Sequence, residues 1–280
     1  MHLYETHLPV QSTEVSQQFY VDVVGLEFAY RDPTRDVVFL WIGSNRRSML
    51  GLWGPSTTRG SDFRQCHFAI ALSLPELLAA GRRLNDLRIC TRNFAGEETV
   101  EPSVIGWMPS AQLYFRDPDD HSLEYIALLD DPPAPDFIGP LSIWQKRSGI
   151  RSSASKKIPV LGIEEIALEV KDIDRSVAFY QNVIGLSLDS RDTQEAWFRI
   201  GNQVLALFTR DRVGSGQHFA FLIPPQDAER ARQTLVALGF PEETMQLSHG
   251  LSVYVRDPDG NKIELYGKRT AANESGSRED

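Results

Sequence analysis

Two stretches of this 280-residue chain repeat one another, and the repeat preserves groups able to bind a metal as well as an apolar pattern. Glu5, Phe19, Tyr20, Gly25 and Leu26 recur as Glu165, Phe179, Tyr180, Gly185 and Leu186, each displaced by 160 positions. Cys66-His67-Phe68-Ala69 returns as Gln217-His218-Phe219-Ala220 at a displacement of 151. Tyr114, Asp117, Pro118, Asp119 and Glu124 return as Tyr254, Asp257, Pro258, Asp259 and Glu264 at 140. The falling displacement means that the second copy has shorter loops between the same landmarks. A duplication that keeps a carboxylate, an imidazole and a second carboxylate in order points to a site as well as a scaffold.

Composition narrows the classes. The length accommodates two domains, each large enough to bury a core, and 41% hydrophobic with 24% charged residues is the balance of a soluble globular protein. A formal charge of −9 argues against a nucleic-acid partner, which would call for clustered Lys and Arg. No apolar run approaches the roughly 18 residues of a membrane span, and Met1 to Glu5 lacks a signal-peptide layout, so no membrane association is expected. Cys66 and Cys90 are too few for a disulfide framework, which makes the cytoplasm the expected compartment.

Hydrophobic periodicity gives one order of elements four times. Leu3 to Val10 alternates as a strand, Ser12 or Thr13 caps a helix reaching Gly25, and strands follow at Val37 to Ile42 and Ser48 to Trp53. The second quarter repeats this with a strand at His67 to Leu72, a helix at Pro75 to Leu87, and strands at Gln112 to Phe115 and Leu123 to Leu128. The third has a strand at Ile163 to Val170, an Asp172-capped helix to Gly185, and strands at Ala196 to Ile200 and Val204 to Phe208. The fourth has a strand at His218 to Ile223, a helix at Asp227 to Gly239, and strands at Ser252 to Val255 and Lys262 to Tyr266. The expected fold class is α+β, with four βαβββ modules. The expected division is a first domain at 1–130, a Pro/Ser-rich linker at 131–160, a second domain at 161–267 and a disordered tail at 268–280. Asp117-Pro118-Asp119-Asp120 and Asp257-Pro258-Asp259-Gly260 suit turns better than calcium loops, and Asp120 in place of Gly predicts a somewhat different turn in the first half.

The capped helix carrying Phe-Tyr and Gly-Leu, the mid-domain strand opening on His, and the closing Asp-Pro-Asp strand ending in Glu together resemble the vicinal oxygen chelate superfamily. That group includes glyoxalase I, fosfomycin-resistance thiol transferases, extradiol ring-cleaving dioxygenases and bleomycin-binding proteins. The resemblance covers 1–129 and 161–267 and implies two glyoxalase-like half-barrel domains, each cup gripping a divalent metal with one inward side chain from each of several strands. Residue by residue, it puts metal ligands at Glu5 and Glu165, His67 and His218, and Glu124 and Glu264. His7 lies two residues beyond Glu5 on the same strand face, so either could reach the metal; the second half has Ala167 there. Many relatives carry His where this chain has Glu5 and Glu165. Ser48 to Trp53 and Val204 to Phe208 contain no Asp, Glu or His, which leaves three protein ligands per site and positions open for substrate oxygens or water.

Such a set suits a divalent metal (Fe, Mn, Zn, Ni or Mg). Tyr114 and Tyr254 are candidate phenol donors to substrate, set against ordinary core rings, and His249 is a candidate because it precedes a strand near the cup mouth; His121 sits in a turn. The implied activity is that of a metal-dependent enzyme acting on a small oxygenated substrate: a dioxygenase cleaving a ring, or a lyase, isomerase or thiol transferase. The alternative is a metal-free protein sequestering an aromatic compound or antibiotic. Each half could close its own cup, or the halves could exchange modules so that Glu5 serves His218 and Glu264; strand periodicity is the same in both, and monomer and homodimer are both compatible with the tandem.

Overall fold

The computed structural model describes residues 1–43, 45–58, 65–148, 161–210 and 217–269, with backbone alone at 147 and 148. The first module is β1 (His2–Pro9), α1 (Thr13–Phe19) continuing into a π turn (Tyr20–Val24), β2 (Glu27–Arg31), β3 (Val37–Ile42) and β4 (Ser48–Trp53). The second is β5 (His67–Ala71), α2 (Leu74–Asp86), β6 (Ser103–Ile105), β7 (Ser110–Arg116) and β8 (Ser122–Leu128), followed by β9 (Ile138–Pro140) and α3 (Leu141–Ser148). The third is β10 (Gly162–Val170), α4 (Ile173–Phe179) with its π turn (Tyr180–Ile184), β11 (Ser187–Arg191), β12 (Glu195–Ile200) and β13 (Gln203–Thr209). The fourth is β14 (His218–Ile223), α5 (Pro225–Ala237), β15 (Thr244–Leu247), β16 (Gly250–Arg256) and β17 (Lys262–Lys268). The expected α+β class and the four βαβββ modules are what the chain forms, with mixed sheets curled into half-barrels.

The chain falls into two compact units, Met1–His7 with Ala167–Asp280, and Leu8–Ile166. Each half of the sequence has therefore exchanged the start of its opening strand with the other half. In the first unit the strands run β15–β16–β17–β14–β1, with β14 parallel to β17 and β1 antiparallel to β14. Its register sets Glu5 opposite Ala220, His7 opposite His218, and both Ala220 and Tyr254 opposite Glu264. In the second unit the order is β10–β5–β8–β7–β6–β9, with Ala69 and Tyr114 both opposite Glu124. Since neighbours across a ladder share a face, each closing Glu stands on the same face as a Tyr and next to the His-bearing strand.

Local chemistry sets the helix ends. Ser12 caps α1 by accepting the Val15 N–H, while Thr13 donates to Asp36 at 2.6 Å; Asp172 caps α4 by accepting from Arg175. Both helices widen into a π turn and stop at Gly25 and Gly185, with φ of 87° and 81°, where a Cβ would be strained. The turn expectation holds in kind but not in detail: Asp120 takes φ 66° and Gly260 φ 87°, so the two turns have the same hand. Asp tolerates that conformation better than most residues.

Four module strands escape the periodicity. β15 is exposed throughout, β2 and β11 are mostly exposed, and β6 is three residues long, so none shows a clean apolar alternation. Within the stretch expected to be linker, β9 and α3 form because Trp144 is buried, with its indole N–H donating to Asp131 at 2.9 Å. Residues 149–160 of that stretch and 270–280 of the tail lie outside the described residues. Among the described residues, no helix is long and apolar enough to cross a membrane.

Candidate metal centre

In the unit Leu8–Ile166, β5, β8 and β10 deliver one side chain each to a common point. Leu123 and Tyr125 are fully buried, so Glu124 between them must emerge on the opposite face of β8. There His67, Glu124 and Glu165 each offer a ligand atom, and the three atoms lie within 4.8 Å of one another. His67 Nε2 is 3.2 Å from Glu124 Oε2, yet burial outweighs their attraction. It pushes the Glu124 carboxyl up to about 8, with the nearby Tyr114 hydroxyl pulling the other way. The His67 imidazole is pushed below its usual range by burial, against the pull of Glu165. A neutral imidazole exposes a lone pair for ligation.

The donor set passes a test of fit to a divalent cation. Among the described residues Glu124 Oε1 is buried and makes no hydrogen bond. The Tyr114 hydroxyl donates to Gln112 Oε1 at 3.0 Å, and Gln112 Nε2 donates to Ser110 Oγ at 3.0 Å. An unsatisfied carboxylate oxygen beside a neutral imidazole and a second carboxylate is costly alone and is relieved by a cation. Two carboxylates and one imidazole leave a dication site of zero formal charge, with oxygen-rich ligation suited to Mn, Fe, Zn, Ni or Mg.

The unit Met1–His7 with Ala167–Asp280 brings together Glu5, His7, His218 and Glu264 in a different arrangement. His7 Nε2 is 3.0 Å from Glu5 Oε1, His218 Nε2 is 3.3 Å from Glu264 Oε2, and the two imidazole rings lie 4.1 Å apart between centroids. Ser252 Oγ donates to Glu264 Oε1 at 2.5 Å, where the other unit has Gln112. Tyr4 and Tyr266 lie near the two carboxylates and are pushed above the ordinary phenol range, by burial first and then by Glu5 and Glu264.

Every sequence-derived ligand position thus has a place. Glu165 joins His67 and Glu124, whereas Glu5 and His7 join His218 and Glu264, so the acid of each opening strand serves the other half's imidazole. Tyr114 stands 6.1 Å from His67, and Tyr254 6.1 Å from His218, between ring centroids. Burial holds the Tyr114 phenol well above its usual range, so it is a proton donor at neutrality. His249 lies in the exposed turn between β15 and β16 and no contact ties it to these groups among the described residues. His121 is structural: its Nδ1 accepts the Cys66 N–H at 3.0 Å and its Nε2 lies 2.7 Å from the Pro9 carbonyl oxygen. Gln112, Ser110 and Ser252 were missed, although residues two and four before Tyr114, and two before Tyr254, share its strand face.

A duplicated βαβββ arrangement in which one imidazole and two carboxylates from three strands meet within a single unit is the class of protein that this chain presents. Residues 162–265 match the family model of the Glyoxalase/Bleomycin resistance protein/Dioxygenase superfamily. The chain is 29% identical over 124 residues to the glutathione transferase FosA of Serratia marcescens, an alignment spanning 42% of this chain and 88% of that protein. It is 32% identical over 117 residues to the catechol-2,3-dioxygenase of Bacillus subtilis, spanning 36% of this chain and 40% of that one. In fold it is similar to maize glyoxalase I, with a TM-score of 0.59 at 16% identity over 95% of this chain and 92% of that one. A candidate dioxygenase of Bacillus subtilis gives a TM-score of 0.67 at 14% identity, covering 95% and 84%.

Proposed function

We propose that the protein is a divalent-metal-dependent enzyme acting on a small substrate that carries adjacent oxygens, with His67, Glu124 and Glu165 as the metal ligands. One observation carries this reading: three ligand atoms from three strands lie within 4.8 Å of one another. When bound, the cation supplies a Lewis acid that draws two neighbouring substrate oxygens and steadies negative charge developing on them. The chain's own residues supply the rest. Tyr114, kept protonated, turns its one hydroxyl proton from Gln112 Oε1 to a substrate oxygen when substrate is bound; Ser110 holds Gln112 in place; and the buried floor around Glu124 excludes water. Glu5, His7, His218 and Glu264 form a second, more imidazole-rich binding set, with Tyr254 in the place of Tyr114. The relatives include a glutathione transferase and a catechol-2,3-dioxygenase by name. A carboxylate-rich set of three ligands with open positions is compatible with either chemistry and with lyase or isomerase chemistry.

The test is metal content. Protein incubated with Mn, Fe, Zn, Ni or Mg salts and then desalted is expected to retain metal, and His67→Ala to lose about one equivalent. If none of the five is retained, the enzyme reading fails and the alternative stands, a metal-free protein that holds an aromatic compound or antibiotic in the cup.

A further inference from the structure

The two copies differ most beside the conserved Tyr. Between His67 and Tyr114 the first copy is eleven residues longer than the second between His218 and Tyr254. In the unit that holds it, the extra length builds a pinned hairpin. Arg92 exchanges two backbone hydrogen bonds with Tyr114, at 2.8 and 2.9 Å, and Thr99 N–H donates to Thr91 at 3.0 Å. Asn93 N–H donates to the Glu97 carbonyl, and the Asn93 side chain bonds Glu97 through both its oxygen and its nitrogen. Ser103 Oγ accepts the Phe94 N–H at 3.0 Å, and Gly81 lets the backbone at Val100 approach α2 so closely that a Cβ would lie 2.3 Å from the Val100 oxygen. A loop held at this many points presents its side chains in fixed directions.

What it presents is Phe94, which is 47% exposed. Its ring stands 6.5 Å from the Tyr114 ring, which stands 6.1 Å from the ligand His67 ring. The row runs from solvent to the proposed metal ligands. In the other unit the Tyr254 ring is covered differently: Lys262 Nζ sits 4.1 Å above it and is paired with Glu243, whose carbonyl accepts the Tyr254 N–H. One copy thus puts a cation against its tyrosine and the other an uncovered aromatic ring. Glu97 and Glu98 are exposed on the same hairpin, Glu98 paired with Arg92 at 3.1 Å.

Resting on the metal reading above, we infer that Phe94 selects the substrate of the His67, Glu124 and Glu165 site by stacking against a planar ring whose adjacent oxygens reach those ligands. Aromatic pairs interact at centroid separations of about 4.5–7 Å, the range already used along this row. A compact, non-aromatic chelator reaches the same ligands without touching Phe94.

The test compares the full-length protein with Phe94→Ala and Phe94→Trp, each loaded with Mn(II). Metal content is measured first. Binding of 4-nitrocatechol is then followed by its visible absorbance, and binding of acetohydroxamate, a bidentate oxygen chelator without a ring, by competition. Phe94→Ala is expected to weaken 4-nitrocatechol roughly 3- to 10-fold, to leave acetohydroxamate and metal content unchanged, and to be rescued by Phe94→Trp. Equal affinities for 4-nitrocatechol in wild type and Phe94→Ala, or equal weakening of both ligands, would overturn the inference while leaving the metal site standing. Wild-type protein that retains no Mn(II) would instead bring down the metal reading and this inference with it, an outcome the metal measurement separates from the other two.

Discussion

Tyr20 donates its hydroxyl proton to Asp117 Oδ2 at 2.8 Å, and the duplicate Tyr180 donates to Asp257 Oδ2 at 2.9 Å. The Phe-Tyr and Asp-Pro-Asp motifs are therefore two ends of one buried clamp that ties a helix to the turn before a closing strand. Ser16 and Ser176 repeat the idea by donating to Asp119 and Asp259. The copies differ in reserve: Asp257 Oδ2 also accepts from Asn261 Nδ2 at 2.8 Å, whereas His121, in the matching place, is turned to Cys66 and Pro9. Tyr20→Phe is expected to cost about 1–3 kcal/mol and Tyr180→Phe less, because only the first strips Asp117 Oδ2 of its hydrogen bond. Urea denaturation of the two variants checks the order; equal losses would refute it.

The exchange of opening strands makes a prediction about pairs. Glu165→Gln and His67→Ala are each expected to remove the same equivalent of retained Mn(II), and together to remove no more. Glu165→Gln combined with His218→Ala is expected to act on two separate sites. Were Glu165 serving His218 instead, the non-additive pair would be the second one, and metal stoichiometry of the double variants distinguishes the two.

Burial of Glu124 gives the metal-free protein a pH dependence of known sign. The carboxyl is raised from 4.5 to about 8 on folding, so across that window the folded chain binds the proton more tightly than the unfolded chain. The benefit of the protonated acid is complete below the unfolded value and is lost as pH rises through the folded one. Glu124→Gln removes the dependence. At about pH 8, in the presence of a chelator, the variant is expected to be more stable than wild type by an amount on the order of 1 kcal/mol or more, with the gap closing towards about pH 5. Thermal melts across that range test it, and a gap that widened on acidification would contradict the assignment.

His121 joins two backbone groups, and its loss is expected to be felt in stability alone. His121→Ala leaves the buried Cys66 N–H and Pro9 carbonyl without their ring partner, at about 1–3 kcal/mol. Metal retention by the folded variant is expected to match wild type. Loss of metal at unchanged melting temperature would move His121 into the site.

Much of the site was legible because its residues are spaced by rules that survive duplication. Glu124 and Glu264 alternate with fully buried Leu123 and Ile263, which puts them on the opposite face, and the left-handed glycines at 25 and 185 mark where each helix must stop. β2, β11 and β15 were illegible because exposed edge positions carry no apolar alternation. Phe94 was illegible too, since its position depends on Asn93, Ser103 and Gly81 meeting a loop whose path no periodicity encodes.

Sequence alone determined the module order, the strand faces and the three kinds of donor, because strand and helix periods and capping preferences are local properties of the chain. Tertiary structure alone decided which donors share a cup. The alternation along β10 is identical whether Glu165 faces His218 or His67. Only the strands packed beside it, His67 and Glu124 among their side chains, settle the choice.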